Sequence, residues 1–319
     1  MRNLFLLFFV LRPFLTAADN PYRAAYSLEE ALKHPLETEE LYLSRRQMAV
    51  LPREIGQLRR LRKLVLHSNR LAKLPDELAQ LDSLREINLN ENAFIVFPTV
   101  LLSLPRLEHL ALGGNRLARL PDSLGHLTKL QRLEISQNQL TAFPVGVLGL
   151  ANLETLDLSG NRVARLPPNL GVLTQLRSLM LSHNGFAVFP PEILQLTQLR
   201  ELYIGHNLLT RLPAGLAQLI ELRILLLPHN RFAVFPAEIL RLSNLRELYL
   251  NGNQLRQLPE SIAQLVELRS LGLDGNQLTA LPVTLAQLPR LRLISLSGNP
   301  MPSSVRTAMS QQMPDVQIE

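Results

Sequence analysis

The sequence predicts an α/β solenoid of about 12 coils, with a parallel β-sheet along one side and irregular or short-helical backbone along the other. Three observations carry that prediction. Asparagine recurs at Asn69, Asn92, Asn115, Asn138, Asn161, Asn184, Asn207, Asn230, Asn253, Asn276 and Asn299, a spacing of 23 residues without a slip. Proline stands six residues after nearly every one, from Pro75 to Pro282. Between these marks leucines alternate with polar residues, as in LRELYLNGNQLRQLP from Leu245 to Pro259. A fixed period of this size signals stacked units, each too small to bury its own apolar face.

Within one unit, Leu248 and Leu250 alternate with Glu247, Tyr249 and Asn251, the period of a short half-buried strand. Stacked copies bury the leucines against one another, which pairs the strands in parallel. Asn253 ends the strand where the chain turns inward. Its amide offers donors and an acceptor to its own and the neighbouring turn, so an unbroken asparagine column satisfies buried backbone groups. The proline that follows fixes φ and removes a donor, which suits an extended or short-helical return.

The pattern LxxLxLxxNxLxxLPxxLxxLxx resembles the leucine-rich repeat family in its 23-residue form, as found in Scribble-type and Ras-pathway scaffold repeats and in secreted bacterial repeat proteins. The resemblance covers residues 41–300. It implies a horseshoe that binds partners on a concave sheet, and it implies no reaction.

Taken in order, residues 1–18 resemble a secretory signal peptide: Arg2, an apolar run from Leu4 to Leu11, then the small pair Ala17-Ala18. The run is far shorter than the ~20 residues of a membrane span. Export, to the periplasm, surface or medium, is therefore expected; a buried cap strand and a cytoplasmic chain are the alternative. Residues 19–40 are expected to cap the first coil with a helix, begun by the capping box Ser27 to Glu30 and ended at Pro35. The first coil, from Leu41, has Arg46 where asparagine is expected. Inside the array a second period runs over two repeats. Phe97, Phe143, Phe189 and Phe235 precede proline in alternate coils, and Leu102, Leu148, Leu194 and Leu240 sit opposite Ala79, Gly125, Gly171 and Ala217. Large against small is how layers interdigitate. Residues 301–319 form the second cap, a helix over Ser303 to Gln312 and an edge strand at Val316 to Ile318.

The chain has no cysteine, which excludes disulfide caps, thiol nucleophiles and thiolate metal sites. Nucleotide-binding, metalloprotease and serine-hydrolase motifs are absent, so no cofactor, metal or catalytic residue is expected. The net charge of +6 is a mild bias.

Candidate binding residues come from reading the outward columns. One column is small and polar at Asn88 and Ala111 but bulky at Met180, Tyr203, Leu226 and Tyr249, with Glu201, Glu247 and Asp274 beside it. Tyrosines and apolar groups flanked by acids are the composition of a recognition surface. His183, His206 and His229 recur at one position in consecutive coils, either a pH-sensitive strip or a turn residue copied by duplication. An arginine column, Arg62, Arg85, Arg177, Arg200, Arg223, Arg246, Arg269 and Arg292, lacks stacking aromatics and is mixed with glutamates, which argues against nucleic acid. The expected function is non-catalytic binding of a protein ligand. Carbohydrate or cell-wall binding is the alternative, with an intracellular scaffold or an enzyme further off.

Overall fold

The computed structural model describes residues 22–319. The expected signal peptide lies outside those residues. Fourteen strands form one sheet in strict sequence order. They are β1 Ala24–Ala25, β2 Glu40–Tyr42, β3 Lys63–Val65, β4 Glu86–Asn88, β5 His109–Ala111, β6 Arg132–Glu134, β7 Thr155–Asp157, β8 Ser178–Met180, β9 Glu201–Tyr203, β10 Ile224–Leu226, β11 Glu247–Tyr249, β12 Ser270–Gly272, β13 Leu293–Ser295 and β14 Gln317–Ile318. Every adjacent pair is parallel, and in the array the register advances one full period, as in Leu202 opposite Leu225 opposite Leu248. The sheet is open, with a 3-10 segment on the far side of nearly every coil. This is the solenoid that the period predicts.

Each strand from β2 to β13 is three residues long because only its middle side chain is needed inside. Leu202, Leu225 and Leu248 are fully buried and their neighbours on either side face out. Regular bonding between coils extends past the strand: Arg200 N–H donates to Arg177 O (2.8 Å) and His206 N–H to Pro228 O (2.7 Å). Each repeat proline then opens a 3-10 turn by accepting from the amide three residues on, as Pro213 O does from Leu216 N–H (3.0 Å).

Asparagine closes each coil. Asn253 Nδ2 donates to Leu227 O (3.1 Å) in the preceding coil and Leu250 O (2.9 Å) in its own, while its Oδ1 accepts from Phe232 N–H (3.1 Å). One side chain thus satisfies backbone groups of two coils, the demand a buried turn imposes. At the edge coil Asn69 Oδ1 accepts from both Arg46 N–H and Met48 N–H (3.0 Å each), so the second coil's asparagine closes the turn of the first.

The alternation in size is filled as layers. Phe94, Phe186 and Phe232 are fully buried, and Phe97, Phe143, Phe189 and Phe235 nearly so. A side chain at Gly125 would stand 3.1 Å from Gly149 Cα, so these two coils meet backbone to backbone.

At the first end, α1 Leu28–Lys33 is capped by Ser27 Oγ accepting from Glu30 N–H (3.1 Å), and Ala31 is fully buried. Glu30 reaches back to Tyr26 N–H (2.8 Å), one residue before the usual position of a capping box. At the other end, α2 Ser303–Gln312 is followed by β14, which pairs with β13.

Candidate functional site

Outward residues of β6 to β11 and β13, with residues just before and just past the strands, line a groove of about 1270 Å³ on the concave face. Its floor is apolar. Met180, Tyr203, Leu226 and Tyr249 stand side by side in one column, because β8 to β11 are in register. All four face outward and all are half-buried, since each leans on its neighbour across ~4.8 Å of strand spacing. The Tyr249 ring extends over Gly272; a Cβ there would lie 2.4 Å from the ring. The glycine that interrupts the column lets the tyrosine lie down.

The walls are acidic. Glu134, Glu154, Asp157, Glu201, Glu247, Asp274 and Glu319 line the groove against three guanidiniums, Arg132, Arg177 and Arg200. Glu201 and Glu247 stand on either side of Ile224 in one column. Glu201 Oε2 accepts from Ser178 Oγ (2.9 Å) and Tyr203 Oη (3.3 Å). Burial, then the Glu201 charge, raises the Glu247 carboxyl above its ordinary value, and Arg269 only partly offsets them. Burial and Asp157 raise Glu134 in the same way. The Tyr203 and Tyr249 phenols are also raised, by burial first and then by Glu201 and Glu247 respectively. Unrelieved negative charge at a half-buried site favours a cation arriving from outside.

At one rim Asn251 Nδ2 donates to Asp274 Oδ2 (2.6 Å), and Asp274 Oδ1 accepts from Ser297 N–H (2.8 Å). The Asn251 Oδ1 is buried without a hydrogen-bond partner.

The histidines stack. His183 and His206 have ring centroids 3.8 Å apart, and His206 and His229 4.2 Å. Their backbones have φ of 55°, 51° and 52°, and other coils place Gly114, Gly160, Gly252, Gly275 and Gly298 in the same left-handed position. The site is thus a turn that demands αL, which histidine enters more readily than most residues. Burial lowers His206 to about 4, helped by repulsion from His183 and His229, and burial with repulsion from His229 lowers His183 as well. Parallel rings do not converge on one point, which suits stacking and not tetrahedral ligation. Of the three, His206 and His229 line the groove and His183 does not.

The structure therefore brings Met180, Glu201, Tyr203, His206, Leu226, His229, Glu247, Tyr249 and Asp274 into one groove. Sequence reading missed Glu154, Ser178 and Glu319, and it placed Arg177 and Arg200 in the arginine column outside the candidate binding residues. Column position signalled Ser178, whereas Glu319 falls one residue out of the 23-residue period because Gln317 pairs with Leu293. Arg62 and Arg85 pair with Glu39 (3.5 Å) and Glu108 (2.6 Å), but from Arg177 to Arg292 that column makes no ion pair among the described residues.

These features define a parallel-sheet repeat protein with a ligand-sized groove. The profile described as Leucine rich repeat matches residues 59–117, 105–163, 174–232 and 220–278, and the chain belongs to the leucine-rich repeat family. Among solved structures it is similar to a leucine-rich repeat protein of Leptospira interrogans, at 29% identity over 93% of this chain and 99% of that one (TM-score 0.66). An internalin from Listeria monocytogenes shares the fold at 23% identity over 91% and 87% (TM-score 0.71). The ectodomain of the Arabidopsis thaliana receptor kinase GASSHO1/SCHENGEN3, solved in complex with CASPARIAN STRIP INTEGRITY FACTOR 2, matches at 26% identity over 87% and 43% (TM-score 0.59). No curated protein sequence matches the chain.

Proposed function

We propose that the chain is a non-catalytic protein-binding module whose ligand surface is the concave groove, and that the ligand presents basic side chains. One observation carries this: four bulky side chains on adjacent strands, Met180, Tyr203, Leu226 and Tyr249, form an apolar floor between carboxylates that burial and mutual repulsion leave under-compensated. Tyrosine anchors on an apolar floor supply contact area, and the acids select for lysine or arginine. Membership in a family of binding repeats and the likeness to an ectodomain solved with a ligand support the reading. Export fits the pattern of residues 1–18, and a mature chain beginning near Ala18 or Asp19 is the expected product.

The test uses a partner captured by the purified chain and identified by mass spectrometry, with affinity measured by calorimetry. Tyr203→Ala with Tyr249→Ala should cost at least about 2 kcal/mol of binding, roughly 30-fold, with little change in melting temperature. Ala111→Ser, in the small polar half, should be neutral. Wild-type affinity in the double variant would remove the groove from consideration.

A further inference from the structure

Each coil leaves the sheet at its ladder asparagine and reaches the far side at its proline. Ten such crossings, from Asn69–Pro75 to Asn276–Pro282, stack into one flank of the solenoid. Within a crossing two residues turn inward and three face out. Leu117 and Leu120 are buried while Arg116, Ala118 and Arg119 are exposed.

The thirty outward positions of this flank hold nine lysines or arginines and no aspartate or glutamate, although the chain carries 27 acids. All nine cations are exposed, and none makes an ion pair among the described residues. Most remaining positions are alanine, valine or another apolar residue. In one column Lys73, Arg119, Arg165 and Arg211 alternate with Val96, Ala142, Val188 and Val234. Val96, Val188 and Val234 are 74%, 64% and 76% exposed, among the most exposed large apolar groups of the molecule.

A solvated protein flank mixes both signs of charge. This one excludes acids over its whole length and interleaves its cations with bare valines. From Lys73 to Arg211 it extends six coils, about 30 Å at strand spacing, enough to cover several headgroups. We propose that this flank docks on an anionic lipid surface, its cations on headgroup phosphates and its valines seated between them at the glycerol level. Both ingredients of interfacial attachment are present, electrostatic attraction and apolar contact. A nucleic acid would use the cations but not the valines, and the flank offers no aromatic for base stacking. Flank docking leaves the concave groove free and does not depend on the groove binding anything.

The experiment is co-sedimentation of the full chain with vesicles. Wild type should bind phosphatidylcholine vesicles containing about 30% phosphatidylglycerol and not pure phosphatidylcholine, with affinity falling as salt rises from about 0.05 to 0.5 M. Lys73→Glu, Arg119→Glu, Arg165→Glu and Arg211→Glu together should weaken binding at least about tenfold. Val96→Ser, Val188→Ser and Val234→Ser together should weaken it several-fold, most visibly at high salt, where charge is screened. Reversing Arg223, Arg246, Arg269 and Arg292 to glutamate makes the same charge change on the other flank and should keep binding within about threefold. Circular dichroism checks that each variant is folded, and the wild-type salt series needs no variant. Equal losses in the two charge-reversed sets, salt-independent sedimentation, or no preference for phosphatidylglycerol would overturn the proposal. So would unchanged binding of the valine variant together with equal affinity for a DNA duplex, which would mark the flank as a general polyanion site.

Discussion

Replacing Asn161 by alanine tests whether the asparagine column holds the coils together or only marks their turns. Asn161 is 6% exposed, in mid-array. Its Nδ2 donates to Ile135 O (2.9 Å) and Leu158 O (3.0 Å), and its Oδ1 accepts from Leu140 N–H (3.0 Å). The carbonyls are shared along the column: Ile135 O also accepts from Asn138 (3.3 Å) and Leu158 O from Asn184 (3.0 Å). They lose one of two partners. The Leu140 amide loses its acceptor outright and is left buried and unpaired, which costs about 1–3 kcal/mol. Two weakened carbonyls bring the expected loss to about 2–4 kcal/mol. Arg46→Ala, at the position where the column is broken, keeps its backbone bond to Asn69 and gives up only an exposed side-chain bond to Tyr26 O, for less than about 1 kcal/mol. Urea unfolding measures both, and native-state exchange of the Leu140 amide localises the damage. Asn161→Asp keeps the acceptor but points a negative charge at two carbonyls, so it should be worse at neutral pH than in acid. Equal losses for Asn161→Ala and Arg46→Ala would refute the reasoning.

Three other outcomes are expected. Because the folded-state value of His206 is about 4 against an ordinary 6.5, the unfolded chain binds more protons between them, so stability should fall as pH drops through that window. His206→Asn, which tolerates αL, should flatten the slope in a melting series across that range; an unchanged slope would sink the claim. Glu247 has the opposite sign: its raised value means the folded state holds the proton longer, so stability is lost as pH rises above 4.5. Glu247→Gln should therefore raise the melting temperature at pH 7 while weakening a basic ligand, and a variant that loses on both counts would contradict the electrostatic account. Gly272→Ala puts a methyl 2.4 Å from both Asn251 Oδ1 and the Tyr249 ring, so it should displace Tyr249 and weaken ligand binding more than it lowers the melting temperature; unaltered affinity would show that the ring position does not matter.

Much of the molecule is legible in its sequence because each coil restates one constraint. Leu248 must face in, Asn253 must close the turn, and Pro259 must begin the return; eleven asparagines in phase leave no other stacking open. The terminal helix over Ser303 to Gln312 is legible for a similar reason, since Pro302 and Pro314 bound a helical composition. The acid-free flank is also written in the sequence, but a net charge of +6 averages it against the acidic groove, and it emerges only when outward positions are sorted by face.

What sequence alone determined is the period, the in-register parallel sheet and the identity of the outward columns, because these follow from backbone hydrogen bonding and burial, which are the same in every coil. What only the tertiary structure decided is how neighbours in those columns lean on each other. Tyr249 lies over Gly272, Glu201 accepts hydrogen bonds from Ser178 and Tyr203, and the rings at 206 and 229 enter the groove while His183 stays out. Those arrangements depend on rotamers, solvation and the curvature accumulated from coil to coil, and a 23-residue period carries no term for any of them.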